Sequence, residues 1–202
     1  MNKEKENTTR GITMKKLILV TSPPACGKTF VTKKLAKAMK NCVYLDKDSL
    51  IVLSKQIFVV ANEEYNRSSD FFEEHIRNYE YDAILEIAYE ALEYNDTVFI
   101  NAPFTREIKD ADYMENMRQQ LLKRNTELVV VWVQANSEVC RQRMIMRNSD
   151  RDTWKLEHWD EYIQTQDFKK PEGIENLFVF EISDDVSFKQ SLKDAVDYLN
   201  NL

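Results

Sequence analysis

Several features that would define other kinds of protein are missing here. No apolar run approaches the roughly 20 residues needed to span a bilayer, which excludes a helical membrane crossing. The opening stretch, MNKEKENTTRGITMKK, is polar and has no apolar core, so no secretory signal is expected. Residues 1–15 are read as a flexible N-terminal extension, with Met14 as an alternative start. Cysteine is scarce: Cys26, Cys42 and Cys140 are odd in number and lack metal-ligand spacing, so reduced thiols in a cytoplasmic protein are expected. The two histidines, His75 and His158, have no ligand pattern around them and are assigned surface or packing roles. Basic residues give no excess, with 28 Lys and Arg against 34 Asp and Glu and a net charge of −6. That argues against nucleic acid as a partner, because a long polyanion needs a continuous basic surface. A small anionic ligand remains compatible, since a local basic cleft can sit on an acidic protein. No internal repeat, low-complexity tract or linker divides the 202 residues, so residues 16–202 read as one domain.

What is present is organised around residues 17–39, LILVTSPPACGKTFVTKKLAKAM. A short apolar run (Leu17, Ile18, Leu19, Val20) enters a turn, and Gly27-Lys28-Thr29 opens a helix with Val31, Leu35, Ala38 and Met39 on one face. The phosphate-loop pattern asks for Gly, four residues, then Gly-Lys-Ser/Thr; Ser22 stands at the first glycine position. That glycine is a turn residue, so its replacement removes no reactive group. Backbone N–H groups and the helix start form a concave anion site. Gly27 lets the chain approach phosphates without a Cβ. Lys28 brings charge to the β- and γ-phosphates, and the Thr29 hydroxyl can ligate Mg²⁺. Ala25, Cys26, Gly27, Lys28, Thr29 and Phe30 are the expected nucleotide contacts, joined by Arg143. At Cys26 a small side chain is sufficient reason for the residue, with redox sensitivity as the alternative.

Further along, Cys42 to Leu45 reads as a second strand ending at Asp46-Lys47-Asp48, and a helix begins near residue 49. Polar residues 62–70 break the pattern, and a long helix then runs to about 94 with Ile84, Ile87, Ala88 and Ala91 on one face. Thr97 to Ile100 is a third strand, followed by a helix through Met114, Met117 and Leu121. Leu128 to Val133, which includes Trp132, is apolar enough to be buried on both sheet faces. A helix from Ser137 carries Arg141, Arg143 and Arg147, and an aromatic-rich helix holds Trp154, Trp159 and Tyr162. Both tryptophans are assigned to packing, with a cleft wall as the alternative. Leu177 to Ile182 is the fifth strand, and Phe188, Leu192, Ala195 and Leu199 mark the closing helix. Strands alternating with helices predict an α/β fold, a five-stranded parallel sheet covered on both faces. Ligands on such sheets bind beyond the carboxyl ends of the strands, where the candidate residues fall.

Phosphoryl transfer needs an acceptor-orienting base and cations as well as the phosphate cradle. Asp46 and Asp48 are the candidates for the base, and either can also cap the next helix. Arg143, Arg147 and Arg151 recur every four residues and suit phosphate contact; a solvated face paired with Glu138, Asp150 and Asp152 is the alternative. Residues 143–153 form the expected lid. Residues 52–95 are the expected helical insertion for the acceptor, with Arg67, Arg77 and, after the third strand, Asn101 as substrate candidates.

Taken together, SPPACGKT, LDKDSL, VFINAPF and RMIMRNSDRD resemble the zeta-toxin and polynucleotide-kinase branch of P-loop kinases. That branch includes small kinases of adenylate-kinase-like fold often labelled AAA-type ATPases. The resemblance extends from Lys16 to Leu202 and implies a three-layer α/β/α P-loop NTPase with ATP and Mg²⁺ as cofactors. It implies Lys28 and Thr29 as phosphate and metal residues, Asp48 as base, Asp46 as metal-shell residue or alternative base, and Arg147 and Arg151 as lid arginines. Two departures stand out. Polynucleotide kinases carry an arginine three residues past the base, where this chain has Ile51, and many relatives have an aspartate near Asn101. The implied activity is transfer of a γ-phosphate to a hydroxyl of a small molecule: a metabolite, nucleoside, sugar nucleotide or antibiotic. The alternatives are a nucleic-acid 5′-hydroxyl kinase and a nucleotide-dependent switch or ATPase. Against the switch, no Asn/Thr-Lys-x-Asp guanine-reading motif follows a late strand.

Overall fold

The computed structural model describes residues 14–149, 152–165 and 168–202. Its axis is β1 (Lys15–Thr21), whose Leu17, Ile18, Leu19 and Val20 are fully buried. Four consecutive apolar residues are stable in a strand only where both faces are covered, so β1 lies mid-sheet. It pairs in parallel with β3 (Thr97–Asn101) on one side and β4 (Thr126–Gln134) on the other. Beyond these lie β2 (Cys42–Asp46) and β5 (Leu177–Glu181), both parallel, giving the order β2-β3-β1-β4-β5. The expected five-stranded parallel α/β/α sheet is therefore present.

Parallel neighbours need crossovers, and helices supply them. The first is α1 (Lys28–Ala38), and a short 3₁₀ turn over Lys47–Leu50 then leads into α2 (Ile51–Ala61). After an irregular stretch, α3 (Asp70–Phe72) passes through a π-helical turn (Glu73–Arg77) into α4 (Asn78–Tyr94). Then come α5 (Ala111–Leu122), α6 (Ser137–Arg147), α7 (Thr153–Glu157), α8 (Trp159–Thr165) and α9 (Asp185–Asn201). Among the described residues no helix is long and apolar enough to cross a membrane.

Side chains alternate across the sheet with the two-residue period of strands. Leu17, Leu19, Val98, Ile100, Leu128, Val130 and Trp132 pack against α4 and α5. Ile18, Val20, Phe99, Val129, Val131 and Val133 face the opposite layer, where Val31, Leu35, Cys140, Ala195 and Leu199 close the core. Away from the sheet, Phe58 of α2 packs on Phe72 and Ile76 in a smaller cluster. Met144, Trp159 and Tyr162 form another, with Ala25 packed against it.

Several expectations need correction. Ala38 is exposed and Ile87 is 42% exposed; the buried face of α4 is centred on Tyr81, Ile84, Leu85, Ala88 and Leu92. The single aromatic helix is two short ones, interrupted at His158, whose ring stacks on Trp154 and contacts the Trp154 carbonyl at 3.0 Å. Trp159 is buried as expected, but Trp154 is 52% exposed. The lid expected over 143–153 begins inside α6, which continues to Arg147. The extension expected over 1–15 falls, up to residue 13, outside the described residues, and Lys15 already belongs to β1.

Candidate active site

The turn after β1 places its backbone in unusual conformations at two points. Ala25 has φ 63°, and Gly27, the residue before α1, has φ 94° and ψ 17°. Glycine is favoured at the second because a Cβ would face the left-handed penalty and lie 3.4 Å from Arg143 Nη1. Ser22, at the position of the missing glycine, has an ordinary φ, is buried, and donates its hydroxyl to the Pro23 carbonyl at 2.8 Å. Asp110, Asn136 and Asp184 cap α5, α6 and α9 with their side chains, whereas α1 starts on Gly27 without a side-chain cap. The first-turn N–H groups of α1 therefore keep their donor capacity for an anion.

Asn101, at the end of β3, is 1% exposed and sits behind this turn. It accepts from Lys28 Nζ at 2.7 Å and donates from Nδ2 to Thr29 Oγ1 at 3.1 Å. One amide thus orients both residues of the phosphate motif, and its Nδ2 also lies 3.5 Å from Tyr44 OH. Expected as a substrate contact, Asn101 does not line the cleft and stands behind the turn it orients.

After β2 the two aspartates take different positions. Asp46 is half-buried; it accepts from Tyr44 OH at 2.6 Å and from the Asp48 backbone N–H at 3.1 Å, capping the 3₁₀ turn. Burial raises the Tyr44 phenol pKa above its ordinary value, and the neighbouring Asp46 adds to the rise. Asp48 is exposed and lines the cleft beside Lys28 and Thr29.

That cleft has a volume of about 560 Å³ and is bounded by the phosphate turn, Asp48, Arg67, Pro103, Thr105 and the basic side chains of α6 and α7. Lys28, Lys47, Arg67, Arg143, Arg147 and Lys155 line it, with Asp48 the acidic residue among its described lining. Arg143 donates to the carbonyls of Cys26 and Ile182, both at 3.0 Å, tying the turn to the end of β5. Arg147 holds the fully buried Asp152 at 2.7 Å through Nε, and Lys155 reaches the same carboxylate at 3.4 Å. Two cations on one carboxylate leave a net positive charge. The salt-bridge alternative for Arg147 is thus realised, yet Arg147 still lines the cleft.

Beneath the Arg67 side of the cleft lies a buried carboxylate without a sequence signal. Glu80 is 4% exposed and accepts from Lys47 at 2.5 Å, Ser54 at 2.5 Å and both terminal nitrogens of Arg67 at 2.7 Å. Burial alone would raise its pKa; the donors Arg67, Lys47 and Ser54 outweigh that and hold it down to about 2. The face of Arg67 lies 4.4 Å from the centroid of the Phe72 ring, so ring and carboxylate fix the guanidinium. Arg77 behaves differently: it pairs with Glu107 at 2.6 Å, stacks 4.6 Å from the Tyr81 ring centroid, and does not line the cleft. It is a packing cation, contrary to expectation.

Of the expected residues, Ala25, Gly27, Lys28, Thr29, Phe30, Asp48, Arg67, Arg143 and Arg147 converge on one cleft. Cys26 is buried beneath it, and Asp46 supports Asp48 from below. Arg151 lies outside the described residues. Lys47, Glu80, Thr105 and Lys155 were not anticipated. Among the described residues no group of three or more His, Cys, Asp or Glu converges as a metal cage. This donor set fits a triphosphate carrying its own Mg²⁺: the turn and its cations would take the phosphates, and the exposed Thr29 hydroxyl would take the metal.

No curated protein matches the sequence at a significant level. Solved structures do. A protein provisionally designated a kinase, from Chloroflexus aurantiacus j-10-fl, superposes with TM-score 0.64 at 17% identity, covering 94% of this chain and 98% of that one. A sugar kinase from Janibacter sp. HTCC2649 gives 0.54 at 12%, covering 93% and 95%. A gluconokinase from Sinorhizobium meliloti 1021 gives 0.52 at 13%, covering 94% and 97%. These likenesses share the fold. The AAA domain family matches residues 17–168, well over half of the chain, and the protein belongs to that family.

Proposed function

We propose that the protein is an ATP- and Mg²⁺-dependent kinase that phosphorylates a hydroxyl of a small molecule. The observation that carries this is the convergence, in one cleft, of Lys28, Thr29 and an exposed Asp48, with basic side chains of α6 and α7 opposite. The gluconokinase and sugar kinase names of two structural neighbours are in keeping with a small hydroxyl acceptor. Its motifs place the chain, in this reading, in the zeta-toxin and polynucleotide-kinase branch. The three free thiols suit a cytoplasmic location.

In this reading the backbone N–H groups at Gly27, Lys28 and Thr29 hold the phosphate tail. Lys28, Arg143 and Arg147 balance the charge that develops on the transferring group. Arg151 keeps the lid role given by its place in the motif. Thr29 would hold the magnesium ion, which when bound neutralises charge on the β- and γ-phosphates. Asp48 accepts the proton of the acceptor hydroxyl, and Asp46 holds the turn that presents it. Arg67, pinned by Glu80, and Thr105 bound the acceptor side.

The test is incubation with MgATP and a panel of polyols, sugars, sugar acids, nucleosides and aminoglycosides, with mass spectrometry for an added phosphate. One class of acceptor is expected to gain a phosphate and to raise ATP consumption. Nucleotide binding without transfer to any hydroxyl, together with recruitment of a protein partner, would favour the switch reading instead.

A further inference from the structure

Two thiols that the proposed chemistry does not use lie next to one another directly behind the phosphate turn. Cys26 Sγ and Cys140 Sγ are 3.2 Å apart, although 114 residues separate them in the chain. Both are buried, at 1% and 0% exposure, and both are free. Cys26 belongs to the turn itself; Cys140 is on α6, the helix that also carries Arg143 and Arg147 into the cleft. Arg143 donates to the Cys26 carbonyl at 3.0 Å, so the pair already sits at the junction between turn and helix.

We propose that Cys26 and Cys140 form a reversible oxidation site, at which a hydroperoxide converts the dithiol to a disulfide that pins the phosphate turn to α6 and weakens nucleotide binding. The cross-link rests on the two sulfurs alone; its effect on nucleotide rests on the phosphate reading above. A hydrogen bond between the two sulfurs, with either as donor, holds the Cys140 pKa below its ordinary value against the opposing effect of burial, and Arg143 nearby acts in the same direction as the bond. The same contact, together with burial, raises Cys26. Cys140 is taken as the sulfur that reacts first; with the two roles exchanged the same disulfide forms. As a thiolate it attacks one oxygen of hydrogen peroxide; the O–O bond breaks, hydroxide leaves, and Cys140 becomes a sulfenic acid. The Cys26 sulfur then attacks Cys140, the S–O bond breaks, and the Cys26 proton leaves with the sulfenic hydroxyl as water. The two sulfurs lose two electrons and the peroxide gains them.

A disulfide needs its sulfurs about 2.05 Å apart, so the two side chains must approach by on the order of 1 Å, and the bond then ties the turn to α6. Gly27, Lys28 and Thr29 follow Cys26 directly, and their N–H groups are the proposed phosphate donors. Tying Cys26 to α6 therefore restrains the cradle. Ala25 and Gly27 line the open cleft on either side of Cys26, which makes the turn the route for the oxidant and lets bound nucleotide cover it. Oxidation and nucleotide binding then oppose one another reciprocally.

The experiment treats the full-length protein with hydrogen peroxide, with and without MgATP. It reads intact mass, non-reducing peptide maps, Tm and the Kd for MgATP before and after dithiothreitol. The expected result is loss of two hydrogen atoms, a linked Cys26–Cys140 peptide, and a Kd weakened about tenfold or more that dithiothreitol restores. MgATP should slow the cross-link. Cys140→Ser should bind MgATP as the reduced wild type does and keep that affinity after peroxide. If that variant does not fold, reversal by dithiothreitol in the wild type decides the matter. Absence of the linked peptide, an unchanged Kd after it forms, or equal loss of affinity in Cys140→Ser would overturn the proposal. A reduced wild type that forms the cross-link but never binds MgATP would instead defeat the phosphate reading and the switch with it, leaving the linked pair as chemistry.

Discussion

At the scale of single residues, the two aspartates after β2 are separated by what each carboxylate already holds. Both Asp46 oxygens are engaged, by Tyr44 OH and the Asp48 N–H, whereas Asp48 opens on the cleft. Asp48→Asn is therefore expected to lower kcat by about 10²–10⁴ while leaving the Kd for MgATP unchanged, as steady-state rates and calorimetry would read. Asp46→Ala should instead cost about 1 kcal/mol of stability through the lost cap, measured by urea unfolding. Glu80 gives a pH signature. Its native pKa, about 2, is depressed from an ordinary 4.5, so its contribution is complete above that ordinary value and is lost as pH falls from there toward 2. Unfolding curves across that window should show acid destabilisation that Glu80→Gln lacks. At neutral pH the same variant leaves Lys47 buried without its anion and should cost roughly 3–5 kcal/mol. Lys28, Thr29 and Asp48 were legible because each belongs to a short local pattern. Glu80 was not, because its meaning comes from Lys47, 33 residues away, and from Ser54 and Arg67 in other segments.

At the scale of elements, apolar periodicity marked the strands and the long helices but misplaced boundaries wherever one face changes partner. The segment with Trp154, Trp159 and Tyr162 reads as one aromatic-rich helix; the His158–Trp154 stack that interrupts it leaves no periodic trace. In α2 the pattern is more misleading still. Val52, Leu53, Val59 and Val60 are well exposed, while Ser54 and Phe58 form its buried side. Phe58→Ala should therefore cost about 3–5 kcal/mol, and Val60→Lys less than about 0.5 kcal/mol, by thermal or urea unfolding. The start of α1 makes a stricter prediction. Gly27→Ala places a Cβ at φ 94° and 3.4 Å from Arg143 Nη1, so it should lower stability by roughly 1–3 kcal/mol and weaken MgATP binding as well.

For the whole molecule, strand count and parallel direction could be read from the sequence, but the order β2-β3-β1-β4-β5 could not. Which strands become neighbours depends on how each crossover helix packs, and that is not written in any one segment. The order matters because it sets the ends of β1, β2 and β3 side by side, bringing Lys28, Asp48 and Asn101 to one edge of the sheet. It also concentrates positive charge in one cleft of a chain whose net charge is −6, drawing anions to that edge. The central claim is that this cleft grips a nucleotide's phosphates through the turn at residues 22–29. Calorimetric titration of MgATP into the wild type and Lys28→Ala tests it most directly. One site per chain in the wild type, weakened at least tenfold in Lys28→Ala, is the predicted result; no binding to the wild type, or equal binding to both, would contradict it.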